Sequence, residues 1–431
     1  MELSYIIQFL VIVGSVYLLY SSLDTKLSVD PGVIHLLVYV FSIGSMILLY
    51  VFYFQDHGHY WLLWSEEEIF NKILYLNTLY VVSFSIVYTL LVRLFGDKVN
   101  APSVYARNFQ QYKLIHFVIV YLIALAVGVV LKVTGQDYLN VYWGNVIDLA
   151  YLILFALLFA KIKSVRMMIL AGFLVMAYMM LIHVPLIQSE EYVVNRGGVI
   201  KIFVFSFVFI HVVGRAEIFT LKRLLMALAV LPVILGATQF VEAYVGGAPV
   251  EWIDLLIYVG SGYELRMMEN QAVLLDLLER NVISQQMGDS YLFAILDLIA
   301  PTLNQQMSPS QWFTEYVNYN TDVTSAYAFS FIAEGVLNFG EYGAVVAGVL
   351  GAIILYLVRF TLQMNWSFAP FVYAYLVVLS YFVYRADLTY VSKKIQFAFF
   401  SAIILFLILK SVRALLLSSN RPNKIHLSMK Q

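Results

Sequence analysis

Residues Tyr112–Val133 read YKLIHFVIVYLIALAVGVVLKV, a run whose only charges, Lys113 and Lys132, stand at its two ends. A helix of about 20 mainly apolar residues, rising about 1.5 Å each, crosses the roughly 30 Å hydrocarbon core of a bilayer. This stretch meets that requirement alone, and the pattern recurs on both sides of it. About eleven spans are expected: Ser4–Tyr20, Val33–Phe54, Ile73–Phe95, Tyr112–Val133, Val146–Lys161, Val165–Ile187, Val199–Val213, Leu224–Val241, Ala344–Leu362, Phe368–Tyr384 and Ile395–Leu409. The first lacks the basic leader and small-residue cleavage site of a signal peptide and is expected to stay.

Composition agrees with the spans. Of 431 residues, 62% are hydrophobic and 12% charged, against a globular norm of about 25% charged. The fold class is therefore all-α, a polytopic transmembrane bundle, and a soluble enzyme is excluded. The 26 basic and 27 acidic residues nearly cancel, so no global field recruits nucleic acid. With no cysteine, disulfides, thiolate catalysis and cysteine-ligated metals are excluded.

Cytoplasmic loops carry an excess of lysine and arginine. With the tail after Leu409 inside, 17 of the 26 basic residues, Arg359 among them, fall on the cytoplasmic side and 9 outside, which predicts an N-out, C-in chain. Four regions follow: an N-terminal bundle of about eight spans over 1–241, a large outer segment over 242–343, a C-terminal bundle over 344–412 and a basic tail over 413–431. The outer segment is too long to lack structure in a compact fold. Trp252, Leu255, Leu256 and Val259 recur at i, i+3, i+4 and i+7, as do Leu292, Ile295, Leu296 and Ile299, so both stretches predict amphipathic helices along the interface. Asn304 through Asp322, polar and aromatic and following Pro301, reads as loop.

Ionisable groups near the membrane carry the chemistry. Each costs roughly 2.5 to 3.5 kcal/mol at mid-bilayer even on the lenient scale, and so needs a partner or a purpose. Arg196, Arg266 and Arg385 come from three separate segments, yet all fall at the outer boundary. A planar fork of donors suits phosphate oxygens, and several converging arginines suit a pyrophosphate; the competing expectation is local pairing, Arg385 with Asp387 and Arg266 with Glu264 or Glu269. Arg280 follows Asp276 at i+4, the spacing of an ordinary helix-surface pair. Glu334, in the apolar run Phe331–Leu337, is the first candidate for a base, since desolvation would push its pKa up; a structural hydrogen-bonded acid is the alternative. Asp322 and Glu315 are more exposed candidates. His183 could supply a donor near Arg196, whereas His57 and His59 have no legible third metal ligand. Walker, HExxH, GxSxG and Rossmann patterns are missing.

One stretch carries a resemblance. Asp297-Leu298-Ile299-Ala300-Pro301, a polar segment, and then Ala326 through Gly343, ending Glu334-Gly335-Val336-Leu337-Asn338-Phe339-Gly340-Glu341-Tyr342-Gly343, resemble the signature of the bacterial oligosaccharide repeat-unit polymerases, which make O-antigen, enterobacterial common antigen or capsule. Asn195-Arg196-Gly197-Gly198 resembles that family's Gly-Thr-Arg element, although the flanking residues differ. Arg266, followed by Glu269-Asn270, and Arg385-Ala386-Asp387 resemble its loop arginine and its Arg-acid pair. The order of these elements, over the C-terminal half and a little more, is what persuades.

The resemblance implies a fold similar to the O-antigen ligases, a metal-independent and cofactor-free reaction, and a place in the bacterial inner membrane with the active site on the periplasmic face. Undecaprenyl-diphosphate-linked oligosaccharide would be both donor and acceptor. Arg196, Arg266 and Arg385 would bind the diphosphate, and Glu334 or Asp322 would be the base. A chain-length regulator and a flippase of the same pathway would be partners. An O-antigen ligase, a lipid-linked-oligosaccharide flippase or other transporter, and a scaffold in a polysaccharide complex are the competing expectations. A transporter should bury ionisable residues along a central path.

Overall fold

The computed structural model describes residues 2–23, 29–51, 66–95, 112–161, 196–213, 264–299, 308–318 and 329–419, with single positions at 167, 220, 222, 240 and 244. Fourteen α-helices and no strand occur among the described residues. In chain order they are α1 (Glu2–Ser22), α2 (Pro31–Leu49), α3 (Glu67–Phe95), α4 (Leu114–Val133), α5 (Asp137–Phe159), α6 (Arg196–Val212), α7 (Glu264–Glu279), α8 (Asp289–Ile299), α9 (Pro309–Asn318), α10 (Phe331–Phe339), α11 (Tyr342–Phe360), α12 (Ala369–Leu376), α13 (Leu379–Arg385) and α14 (Leu388–Ser419).

Among the described residues, seven helices are long and apolar enough to cross a membrane: α1, α2, α3, α4, α5, α11 and α14. They fall on seven of the eleven expected spans. The spans expected at Val165–Ile187 and Leu224–Val241 lie outside the described residues, apart from 167 and 240. Val199–Val213 corresponds to α6, which is 17 residues long. Phe368–Tyr384 was expected as one span but is two short helices, α12 and α13, separated at Val377–Val378.

Local chemistry explains where these helices begin. Asp30 caps α2 by accepting the N–H groups of Gly32 (2.9 Å) and Val33 (3.2 Å), with Pro31 at the first helical position. Ser330 caps α10 by accepting the Ala333 N–H at 3.2 Å. At α4, His116 reaches back to take the Lys113 N–H at 2.7 Å. Each device satisfies donors that no helix can satisfy for itself.

The centre of the bundle is the α3–α11 pair. Gly348 lies on the Tyr80 backbone and Ser83, and Gly351 on the Tyr80 side chain, the small-residue approach that lets helices pack where lipid supplies no hydrophobic drive. Tyr80, Phe84 and Tyr88, one turn apart along α3, stack with centroids 6.1 and 5.6 Å apart. Helix α1 packs on α3, α2 on α13 and α11, and α14 on α5 and α4.

In the expected outer segment the described residues form four short helices, α7 to α10. Helix α8 covers the second of the two expected stretches: Tyr291 and Ala294 are buried with Ser290 and Asp297, while Leu292, Ile295 and Leu296 of the expected apolar stripe are exposed. The other, at Trp252–Val259, lies outside the described residues. The expected loop from Asn304 to Asp322 needs correction, because α9 occupies Pro309–Asn318. Pro309 stands at the first helical position, where proline starts a helix, and Phe313 is fully buried against Phe329.

Candidate functional site

Helices α10 and α11 form a tight hairpin, and the Asn-Phe-Gly-Glu-Tyr-Gly stretch is its turn. Gly340 has φ +61°, a left-handed conformation that glycine adopts without strain. Gly335 and Gly343 bring the two backbones together so closely that a Cβ on either would overlap the other's carbonyl group. Asn338 ties the hairpin to the rest: its Nδ2 donates to the Glu334 carbonyl and to Ser290 Oγ, both at 2.7 Å, and its Oδ1 accepts the Gly288 N–H at 3.0 Å.

This hairpin sets Glu334 in the interior. Its Oε1 accepts the Ser290 hydroxyl at 2.8 Å, its Oε2 accepts the Leu388 N–H at 2.7 Å, and the residue has no exposed surface. Asp387, also buried, accepts the N–H groups of Ser310 (3.0 Å) and Tyr390 (2.7 Å), so it both caps α14 and holds α9 in place. Burial pushes the Glu334 carboxyl up to about 8, and the charge of Asp387 adds to this; the Leu388 N–H and Ser290 hydroxyl oppose it. The Tyr291 hydroxyl is pushed up by burial and, next, by Glu334.

The shift has a consequence for stability. Below the ordinary carboxyl value of 4.5, Glu334 is neutral in folded and unfolded chains alike, and its burial is at its most favourable. As the pH rises to about 8, the unfolded chain ionises freely while the fold still retains the proton, so stability falls through that window. Thermal midpoints of the detergent-solubilised protein should therefore drop between about pH 5 and pH 8. Glu334→Gln should flatten that decline. A parallel decline in both proteins would assign it to other groups.

The sequence candidates distribute as follows. Arg196 is the first residue of α6, Arg266 lies in the first turn of α7 and Arg385 is the last residue of α13, but their side chains lie outside the described residues. Asp322, His183, His57 and His59 also lie outside them. Glu315 is exposed on α9. Arg280 pairs with Asp276 at 2.7 Å on α7, the ordinary surface pair its spacing predicted. Helices α7 and α13 both pack on α10, and Gln271 of α7 links Asn77 (3.1 Å) to the Ser330 cap (3.1 Å). The backbones carrying Arg266, Glu334 and Arg385 thus belong to one packed group. No cluster of three or more histidine or acidic side chains that could hold a metal occurs among the described residues.

Sequence reasoning missed a second cluster. Arg359, placed on the cytoplasmic side by its position at the end of a span, is fully buried and paired with Asp30, which is also buried. Asp30 Oδ1 accepts the Tyr88 hydroxyl at 2.9 Å, and the Tyr373 hydroxyl donates to the Val29 carbonyl. One turn further along α2, His35 Nδ1 meets the Ser380 carbonyl at 2.6 Å and Nε2 meets the Tyr80 hydroxyl at 2.8 Å. Since a carbonyl only accepts, Nδ1 carries the proton and Nε2 accepts from Tyr80. An Asp-Pro helix start was the one signal that could have pointed to Asp30; Arg359 looked like any basic residue ending a span. Asp30 stands just before α2 and Arg359 in the last turn of α11, so the pair is enclosed by protein at the ends of two spans.

No protein-family model, no curated protein and no solved structure matches this chain.

Proposed function

We propose that the protein is an inner-membrane glycosyltransferase that polymerises undecaprenyl-diphosphate-linked oligosaccharide repeat units on the periplasmic face. The observation that carries this reading is the meeting of two separate stretches of the resemblance. Glu334, in the hairpin stretch, accepts the N–H of Leu388, the residue after Arg385-Ala386-Asp387. Elements ordered along the chain as in the polymerases are therefore joined in space.

In this reaction the bond between the donor's anomeric carbon and its diphosphate breaks, and the diphosphate leaves with the electron pair. The acceptor hydroxyl oxygen forms the new glycosidic bond, and its proton passes to a base. Arg196, Arg266 and Arg385 would meet the charge growing on the diphosphate, as preorganised donors do most effectively in a dry site. Glu334, with a pKa of about 8, would be a competent base once ionised. Each of its oxygens accepts one hydrogen bond and keeps a second lone pair, but the residue has no exposed surface, so it serves only if the packing around it opens to the acceptor. Asp322 is the other base candidate.

Arg266→Lys keeps the charge and removes the fork; it should lower polymer yield roughly 10- to 100-fold at normal protein level, the worth of a charge-assisted hydrogen bond. Glu334→Gln should keep lipid binding and slow the chemical step roughly 100-fold or more. Glycans from cells carrying each variant, resolved by gel, provide the measurement. Full-length polymer in Glu334→Gln cells moves the base to Asp322, and full-length polymer in Arg266→Lys cells removes the arginine from the site.

A second reading, a transporter of lipid-linked oligosaccharide, is favoured by the interrupted α12–α13, since discontinuous helices form the substrate sites of many transporters. The two readings separate in cells: loss of a flippase traps repeat units on the cytoplasmic face, whereas loss of a polymerase leaves single units on the outer face.

A further inference from the structure

Helix α5 carries an acid well inside a span. The span expected at Val146–Lys161 sets Asp148 beside its start, but α5 begins at Asp137, and Asp148 stands eleven residues from Asp137 and eleven from Phe159. Within the part apolar enough to cross a membrane, Tyr142–Phe159, it lies six residues in, about 9 Å at 1.5 Å per residue. An ionisable side chain at such depth persists where it faces the bundle interior or a polar cavity.

A cavity of about 410 Å³ lies against it, walled by Tyr121 of α4 and by Gly144, Asn145, Ile147, Asp148 and Tyr151 of α5. Gly144, Asp148 and Tyr151 follow at i, i+4 and i+7, one stripe of the helix. At Gly144 open space stands where a Cβ would project, so the stripe is recessed there. The α4–α5 hairpin is fixed by Trp143, whose Nε1 donates to the Ala124 carbonyl at 2.7 Å, and by the close approach of Ile147 to Gly128. That antiparallel register brings Tyr121 to Tyr151, with ring centroids 6.3 Å apart and planes tilted by 40°. Phe155, one turn on, backs Tyr151 at 4.5 Å. The charge of Asp148 reaches Tyr151 and, on α12, Tyr375. The described lining holds one acidic side chain and no basic one.

We propose that this cavity binds a small organic cation, its ammonium group set against the Asp148 carboxylate and the rings of Tyr121 and Tyr151. Three observations select that class. The charge in the described lining is negative, which repels phosphates and carboxylates. Two tyrosine rings share the wall with it, and aromatic faces attract cations. The volume falls in the range of small-molecule sites, about 300–1,000 Å³, of which a single metal ion would fill little. Nor does Asp148 belong to a group of three or more histidine or acidic side chains among the described residues that could hold a metal. The site shares no residue with the Glu334 group, and it stands or falls independently of the polymerase reading.

The test uses full-length protein in a non-ionic detergent and tritiated benzyltrimethylammonium as the probe. Asp148→Asn, which keeps the size of the side chain and removes its charge, should weaken binding about tenfold or more. Tyr151→Leu should weaken it roughly two- to thirtyfold, whereas Tyr151→Phe, which keeps the ring, should retain it. Neopentylbenzene, the uncharged counterpart of the probe, should not compete. The wild-type protein gives a second measure that needs no variant to fold: modification of Asp148 by dicyclohexylcarbodiimide, followed by mass spectrometry, should be slowed by the probe. Absence of binding to the wild-type protein, unchanged binding in Asp148→Asn, or modification of Asp148 at the same rate with the probe present each overturn the proposal. Equal competition by neopentylbenzene overturns it in favour of an apolar cavity, and displacement by sodium ion at the probe's own concentration overturns it in favour of an inorganic-ion site.

Discussion

Alanine at Gly343 should cost the protein its α10–α11 hairpin. A Cβ there meets the Gly335 carbonyl and the Val336 nitrogen, which are backbone atoms unable to rotate aside. The helices must separate, and with them the bonds from Asn338 to Ser290 and Gly288 and from Glu334 to Leu388. Overpacking costs typically 1–3 kcal/mol; with backbone as the obstacle, the loss should reach about 3 kcal/mol or more. Gly340→Ala should cost about 1–3 kcal/mol, because φ +61°, ψ −141° is a region essentially confined to glycine, while the nearest atom is the flexible end of Gln285. Thermal midpoints of the two variants in detergent give the comparison. A Gly343→Ala protein as stable as wild type would mean that the hairpin is not packed this closely.

The second large effect belongs to Arg359. Arg359→Met leaves the buried Asp30 without its partner, and breaking a buried pair in this way costs about 3–5 kcal/mol. The double variant Asp30→Asn with Arg359→Met should recover part of that loss. Asparagine still caps α2 through its side-chain oxygen, and no charge is left stranded. Unfolding followed by size-exclusion chromatography after heating measures both. Equal stability of the single and double variants would show that the charge of Asp30 is not the source of the cost.

The difference between these two positions shows what the sequence could and could not reveal. Long apolar runs announce spans because bilayer thickness imposes their length, and all seven described helices able to span fall where such runs were expected. Gly343 drew attention through a short motif, and the residue it packs on, Gly335, lies in the same short stretch. Arg359 acts on a residue 329 positions distant, and no local pattern encodes that contact. The break at Val377–Val378 escaped for a similar reason, since valine and leucine there favour an unbroken apolar span and only His35 and the surrounding helices show otherwise. Helix α9 was hidden because a polar, aromatic run resembles loop until Phe313 is seen to be buried. At the candidate site, Glu334 was legible as a lone acid in an apolar run, but its partners Ser290 and Leu388 were not, because they arrive from other helices.

The most direct test of the central proposal is reconstitution. Purified protein in liposomes, supplied with a single undecaprenyl-diphosphate-linked repeat unit, should produce a ladder of glycans that grows by one repeat unit per rung and should release undecaprenyl diphosphate. Recovery of the repeat unit unpolymerised but moved to the opposite leaflet would contradict the glycosyltransferase reading and establish transport in its place.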